Sequence, residues 1–86
     1  MLKIEKFNGN IEYASGLSCG NTSGWIITNS NMVRQFFVSK DHRYGDSKEV
    51  KIFWVSEIYS NDENGLTVSS FEDTYESLEL VIEALI

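Results

Sequence analysis

The sequence predicts an α+β domain: a twisted antiparallel sheet of five or six short strands, with one C-terminal amphipathic helix packed on one face. Three observations predict it. Short runs rich in Ile, Val, Phe, Trp and Tyr recur between turns rich in Asn and Gly. Near the C-terminus the apolar spacing changes from alternation to the helical period. Hydrophobic residues make up 42% of the 86 positions, enough for one core and too few residues for two, so residues 1–86 form a single domain.

Leu2 and Ile4 alternate with Lys3 and Glu5, the period of a half-buried strand. Asn8-Gly9 is the preferred dipeptide of a two-residue hairpin, because both positions tolerate positive φ. That turn would pair Ile4 with Tyr13 and Lys6 with Ile11. It would put Leu2, Ile4, Ile11 and Tyr13 on one face and set Glu5 against Glu12. Residues 16–24 hold three glycines among small polar side chains and read as a loop. Residues 25–28 read as a short strand, 29–31 as a turn and 32–39 as a longer strand. Residues 41–48 form a polar loop. Residues 50–59 are the most β-like run, with Ile52, Trp54 and Ile58 to one side and Phe53, Val55 and Tyr59 to the other. Apolar residues on both faces indicate a central strand. Residues 61–65 turn the chain, and 66–68 form the last short strand.

The end of the chain reads as helix. Asp73 is the expected N-cap, with Glu76 at capping-box spacing. Phe71, Tyr75, Leu78, Ile82 and Leu85 share one stripe, flanked by Val81. Glu72, Glu76, Glu79 and Glu83 would fall on another, an acidic ridge.

That ridge belongs to a larger asymmetry. Residues 52–86 carry eight acids and no lysine or arginine, whereas residues 1–51 carry seven bases against five acids. Charge polarised in this way sets long-range potential and partner choice rather than fold. A solvated, solubilising face accounts for it at the level of base rates. The alternative is docking on a basic protein, whose lysines and arginines replace the missing internal ones. Glu72, Glu76, Glu79 and Glu83, with Asp62 and Glu63, are the candidate partner-binding residues. Phe53, Tyr59 and Trp54 are candidate aromatic anchors, since one helix would leave the other sheet face uncovered.

The expected role is therefore a small acidic protein-binding module that is not an enzyme. Its concrete form is an inhibitor blocking a nuclease or nucleic-acid-binding complex by mimicking nucleic acid. Immunity proteins for toxin nucleases and phage anti-defence proteins of the anti-CRISPR type are small and acidic in the same way. The competing expectation is an oligomerisation domain that forms a homodimer through its open sheet face. A net charge of −6 argues against direct nucleic-acid binding, although His42-Arg43-Tyr44 with Lys40 and Lys48 makes a small basic loop.

Catalytic and metal motifs are weak. Gly16-Leu17-Ser18-Cys19-Gly20 matches the nucleophile-elbow pattern, but His42 is the sole histidine and lies in a polar stretch. Residues 60–65 resemble half of a calcium loop, yet position twelve is Phe71 where a bidentate Glu is required. One Cys and one His cannot make a tetrahedral metal set, so no metal or cofactor is expected. Cys19 reads as a small semi-buried residue. A lone cysteine, an N-terminus without a continuous apolar run, and the lack of any long apolar segment predict a cytoplasmic protein with no membrane association.

Overall fold

Five strands close on themselves into a barrel instead of lying as an open sheet. The structure, a computed structural model, describes residues 2–40, 52–70 and 73–86. The strands are β1 (Leu2–Tyr13), β2 (Ser18–Asn29), β3 (Arg34–Lys40), β4 (Phe53–Asp62), β5 (Gly65–Val68) and β6 (Asp73–Tyr75), followed by the helix α1 (Leu78–Leu85). Strands β1 to β4 pair with their sequence neighbours in antiparallel fashion, and β5 follows β4 likewise. Five strands in a meander alternate direction, so the fifth runs the same way as the first. Closure then needs one parallel pair, and it is made by Ile11 beside Leu66 and Tyr13 beside Val68. This removes the sheet edges that an open five-stranded arrangement would leave.

The alternation in each strand fills two cores. Ile11, Ile26, Phe37, Leu66 and Val68 cluster with Phe7, Tyr13 and Ile58, so every barrel strand contributes to the interior. Phe7 and Phe37 meet there edge to face at 5.8 Å. The neighbouring residues in sequence point outward. Ile27, Phe36, Val38 and Val55 form the second cluster with Val81 and Leu85 of α1, which lies on the outer wall. Strand β4 serves both: Phe53–Val55 pair with Tyr75–Asp73 of β6, and Ile58 onward pairs with β5. Its apolar residues on both faces are thus covered on both sides, one by the barrel interior and one by the helix.

Several expectations are corrected. The open α+β sheet with a helix laid across one face is replaced by a mostly-β closed barrel with a short helix. No hairpin forms at Asn8-Gly9. β1 runs straight through it, with Ile4 opposite Ile27, Gly9 opposite Thr22, and Glu5 opposite Ile26 rather than Glu12. A twelve-residue strand pairing along its length with β2 satisfies far more backbone groups than a four-pair hairpin could. The turn falls at residues 14–17, where Gly16 takes φ 95° and its N–H donates to the Tyr13 carbonyl. Leu2 and Ile4 consequently face outward, whereas Ile11 and Tyr13 face the interior. Most of the supposed loop at 16–24 is β2, entered through a bulge at Cys19.

The helix is shorter than its apolar stripe suggests. Ser77, not Asp73, is the N-cap, its Oγ accepting from the Leu80 N–H at 3.2 Å. Asp73–Tyr75 are drawn into β6 by pairing with β4, which satisfies their backbone against an existing strand. Val81 and Leu85 are buried and Leu78 is half-buried, so the buried stripe centres on Val81. The far end is tied down by the buried Asn29, whose Nδ2 donates to the Leu85 carbonyl and whose Oδ1 accepts from Met32 N–H. Among the described residues no helix is long and apolar enough to cross a membrane. The polar loop expected at 41–48 lies outside the described residues.

Candidate functional site

The candidate carboxylates do not form one ridge. Glu72 lies outside the described residues. Glu76 precedes the helix, and only Glu79 and Glu83 stand on it, one turn apart and exposed. Asp62 and Glu63 are at the far end of β4, in the turn to β5. Asp73 pairs with Val55, which places it about 23 Å back along β4 from Asp62 at roughly 3.3 Å per residue. Two separate groups result. One is the turn pair Asp62 and Glu63. The other is the succession Asp73, Glu76, Glu79 and Glu83 along the segment that crosses the outer wall, all exposed. Asp73 was not among the sequence candidates, and it joins this group only because β6 pairs with β4.

The front half of the chain neutralises one acid of the back half. Arg34 donates from Nε and Nη2 to the two Glu57 carboxylate oxygens, each at 2.7 Å, and its guanidinium lies 5.0 Å from the Phe36 ring centre. This bidentate hydrogen bonding, with the attraction of opposite charges, holds the Glu57 carboxyl below the usual range and raises Arg34. The other ion pair seen among the described residues, Lys3 with Glu5 at 3.3 Å, is exposed and within the front half. None of Asp73, Glu76, Glu79 and Glu83 has a lysine or arginine partner among the described residues.

The three candidate anchors are not brought together either. Phe53 faces the outer cluster and meets Trp25 at 6.2 Å. Trp54, next in sequence, points to the opposite side of β4 and is half-buried. Tyr59 is 62% exposed at the bulge between Ile58 and Ser60. The three therefore do not form one shared patch.

Ser18 begins β2 and accepts from the Gly20 N–H at 3.2 Å, which is a strand entry and not a strand-to-helix elbow. Cys19 is exposed rather than semi-buried, although partial desolvation raises its thiol above the ordinary value. In the half calcium loop, Asp62 Oδ1 is occupied by the Asn64 N–H at 2.8 Å. Among the described residues no three His, Cys, Asp or Glu side chains are grouped to hold a metal ion.

One feature was invisible to sequence patterning. A cavity of about 420 Å³ opens where β3 leaves β2, lined by Lys6, Asn8, Ser23, Trp25 and Lys40 above Phe7 and Gly24. Lys6 and Trp25 are nineteen positions apart and meet only through the β1–β2 register. Lys40, expected in a basic loop, is the last residue of β3, opposite Phe53. No protein-family profile matches the chain, and no curated protein or solved structure matches it.

Proposed function

We propose that the chain is a small acidic protein-binding module that docks a basic partner through Asp73, Glu76, Glu79 and Glu83. The concrete form is an inhibitor that occupies the nucleic-acid channel of a nuclease or nucleic-acid-binding complex, its carboxylates standing in for phosphates. One observation carries the reading. These four exposed acids follow one another along a single segment, and no lysine or arginine occurs anywhere after Lys51 to neutralise them. Glu79 and Glu83 repel each other at i,i+4, costing a few tenths of a kcal/mol, about what an i,i+4 Lys would have returned. A cationic partner relieves that repulsion and is steered to the flank by its field. Asp62 and Glu63, distant along β4, are a separate group outside this surface.

The test is charge reversal on the helix. The partner is captured from the native host on immobilised protein, identified, and its association rate measured against wild type and Glu79→Lys/Glu83→Lys. The variant should associate about tenfold more slowly at low salt, and the gap should close at high salt. An acidic partner, or equal rates for both proteins at low salt, would refute the reading. Both residues are exposed, so the helix should fold in the variant.

A further inference from the structure

We infer that the cavity between β1, β2 and the end of β3 binds a small aromatic anion, its ring against Trp25 and its charged group held between Lys6 and Lys40. The first support is where the cations are. The described residues include four bases, of which Lys3 and Arg34 are in ion pairs. The other two, Lys6 and Lys40, have no ion pair among the described residues, and both line this one cavity. In a chain of thirteen acids, no described carboxylate joins them there.

The remaining polar lining has the same sense. Asn8 Oδ1 already accepts from Asn21 Nδ2 at 3.0 Å, which leaves its amide NH₂ as a donor. Ser23 adds a hydroxyl opposite Asn8 in the β1–β2 register. Two ammonium groups, an amide and a hydroxyl make a donor set that matches an anion. The apolar lining matches a ring: Trp25, buttressed by Phe53 at 6.2 Å, with Phe7 below. A volume of about 420 Å³ suits a compact molecule carrying one ring system and one charged group. A polyanionic strand is a poorer match, because the net charge of −6 repels each added phosphate while, among the described residues, two cations answer it.

The fold places these groups by register. Lys6 faces Trp25 across β1–β2, Trp25 faces Val38 across β2–β3, and Lys40 lies two residues beyond Val38 on the same face. The two lysines therefore stand on the strands either side of Trp25, on the same face of the sheet.

The test is titration of the full chain with adenosine monophosphate and with naphthoate, read by the Trp25 indole signal in proton–nitrogen correlation spectra and by calorimetry. Adenosine and inorganic phosphate, each lacking half of the recognised chemistry, are the controls. Binding of either aromatic anion at Trp25 is expected, at least about tenfold tighter than either control, a difference that one charge-assisted contact supplies. Lys6→Gln and Lys40→Gln should each weaken it about fivefold, since both lysines are partly solvated. A response to adenosine monophosphate alone assigns a phosphate ligand, and to naphthoate alone a carboxylate. The inference is overturned by an unmoved Trp25 signal at millimolar concentrations of both. It is equally overturned if the lysine variants bind unchanged, or if a single-stranded oligonucleotide binds there more tightly than the mononucleotide with a steeper salt dependence.

Discussion

Gly65→Ala tests the closure of the barrel at the seam between β1 and β5. Gly65 opens β5 with φ 117°, beyond the left-handed well that L-residues occasionally enter. A Cβ there would lie 2.2 Å from the Asn10 carbonyl oxygen and 2.9 Å from its carbon, both backbone atoms of β1. Ordinary contact begins at 3.4 Å, so one strand of the parallel seam must retreat by about an ångström. Gly16 provides the control, with φ 95° and nothing within 4 Å of its added Cβ. Gly16→Ala should cost about 1–2 kcal/mol, the strain of the dihedral less the entropy gained by restricting the unfolded chain. Gly65→Ala adds the clash with β1, about 1–3 kcal/mol more, for a total of about 2–5 kcal/mol. A domain of this size has about 4–13 kcal/mol of stability in all, so the variant should melt about 8–40 °C lower. Thermal and urea unfolding followed by circular dichroism measure both variants. If Gly65→Ala costs no more than Gly16→Ala, β5 does not run against β1 as described and the closed barrel is refuted.

Two further substitutions probe what holds the outer layer. Asn29→Ala orphans both the Leu85 carbonyl and the Met32 N–H, which should cost about 2–4 kcal/mol in urea unfolding. Asn29→Asp should not rescue it, because a carboxylate cannot donate to Leu85; wild-type stability in the Asn29→Asp variant would dismiss this tether. Glu57→Gln tests the Arg34 pair through its pH dependence. The Glu57 carboxyl is depressed in the folded state, so its stabilisation is full above the ordinary carboxylate pKa of about 4.3 and is lost as pH falls through the lower folded value. Wild type should therefore be the more stable at neutral pH and converge with the variant in acid. Parallel stability curves across that range would contradict it.

What could be read directly from the chain was local. The runs of Ile, Val and aromatic residues expected as strands at 25–28, 32–39, 50–59 and 66–68 overlap β2, β3, β4 and β5 within the described residues, because branched and aromatic side chains suit a pleated surface. Of the helical stripe expected through Phe71, Tyr75, Leu78, Ile82 and Leu85, Leu78 and Leu85 lie on the helix and pack on the outer cluster, whereas Val81, expected only at its flank, is the residue buried at its centre. Errors arose where two local signals competed. Asn8-Gly9 carries a strong turn preference, yet the adjoining Phe7 and Ile11 are needed inside the barrel, and continuous pairing with β2 places both there. Asp73 and Glu76 carry a capping signal, but pairing with β4 captured Asp73 before a helix could begin there. Ser77 was then left as the next side chain able to cap.

Charge and composition were the sequence's to decide: eight acids after Lys51 with no base among them, and enough apolar residues for a core. Which acids stand together was decided by pairing across strands, which moved Asp62 and Glu63 away from the segment of Asp73, Glu76, Glu79 and Glu83. Pairing also decided that the sheet closes and that Lys6, Trp25 and Lys40 share a cavity. Side-chain periodicity records which face a residue takes within its own strand. It contains no information about which strand lies alongside, and a site assembled from three strands exists only once that choice is made.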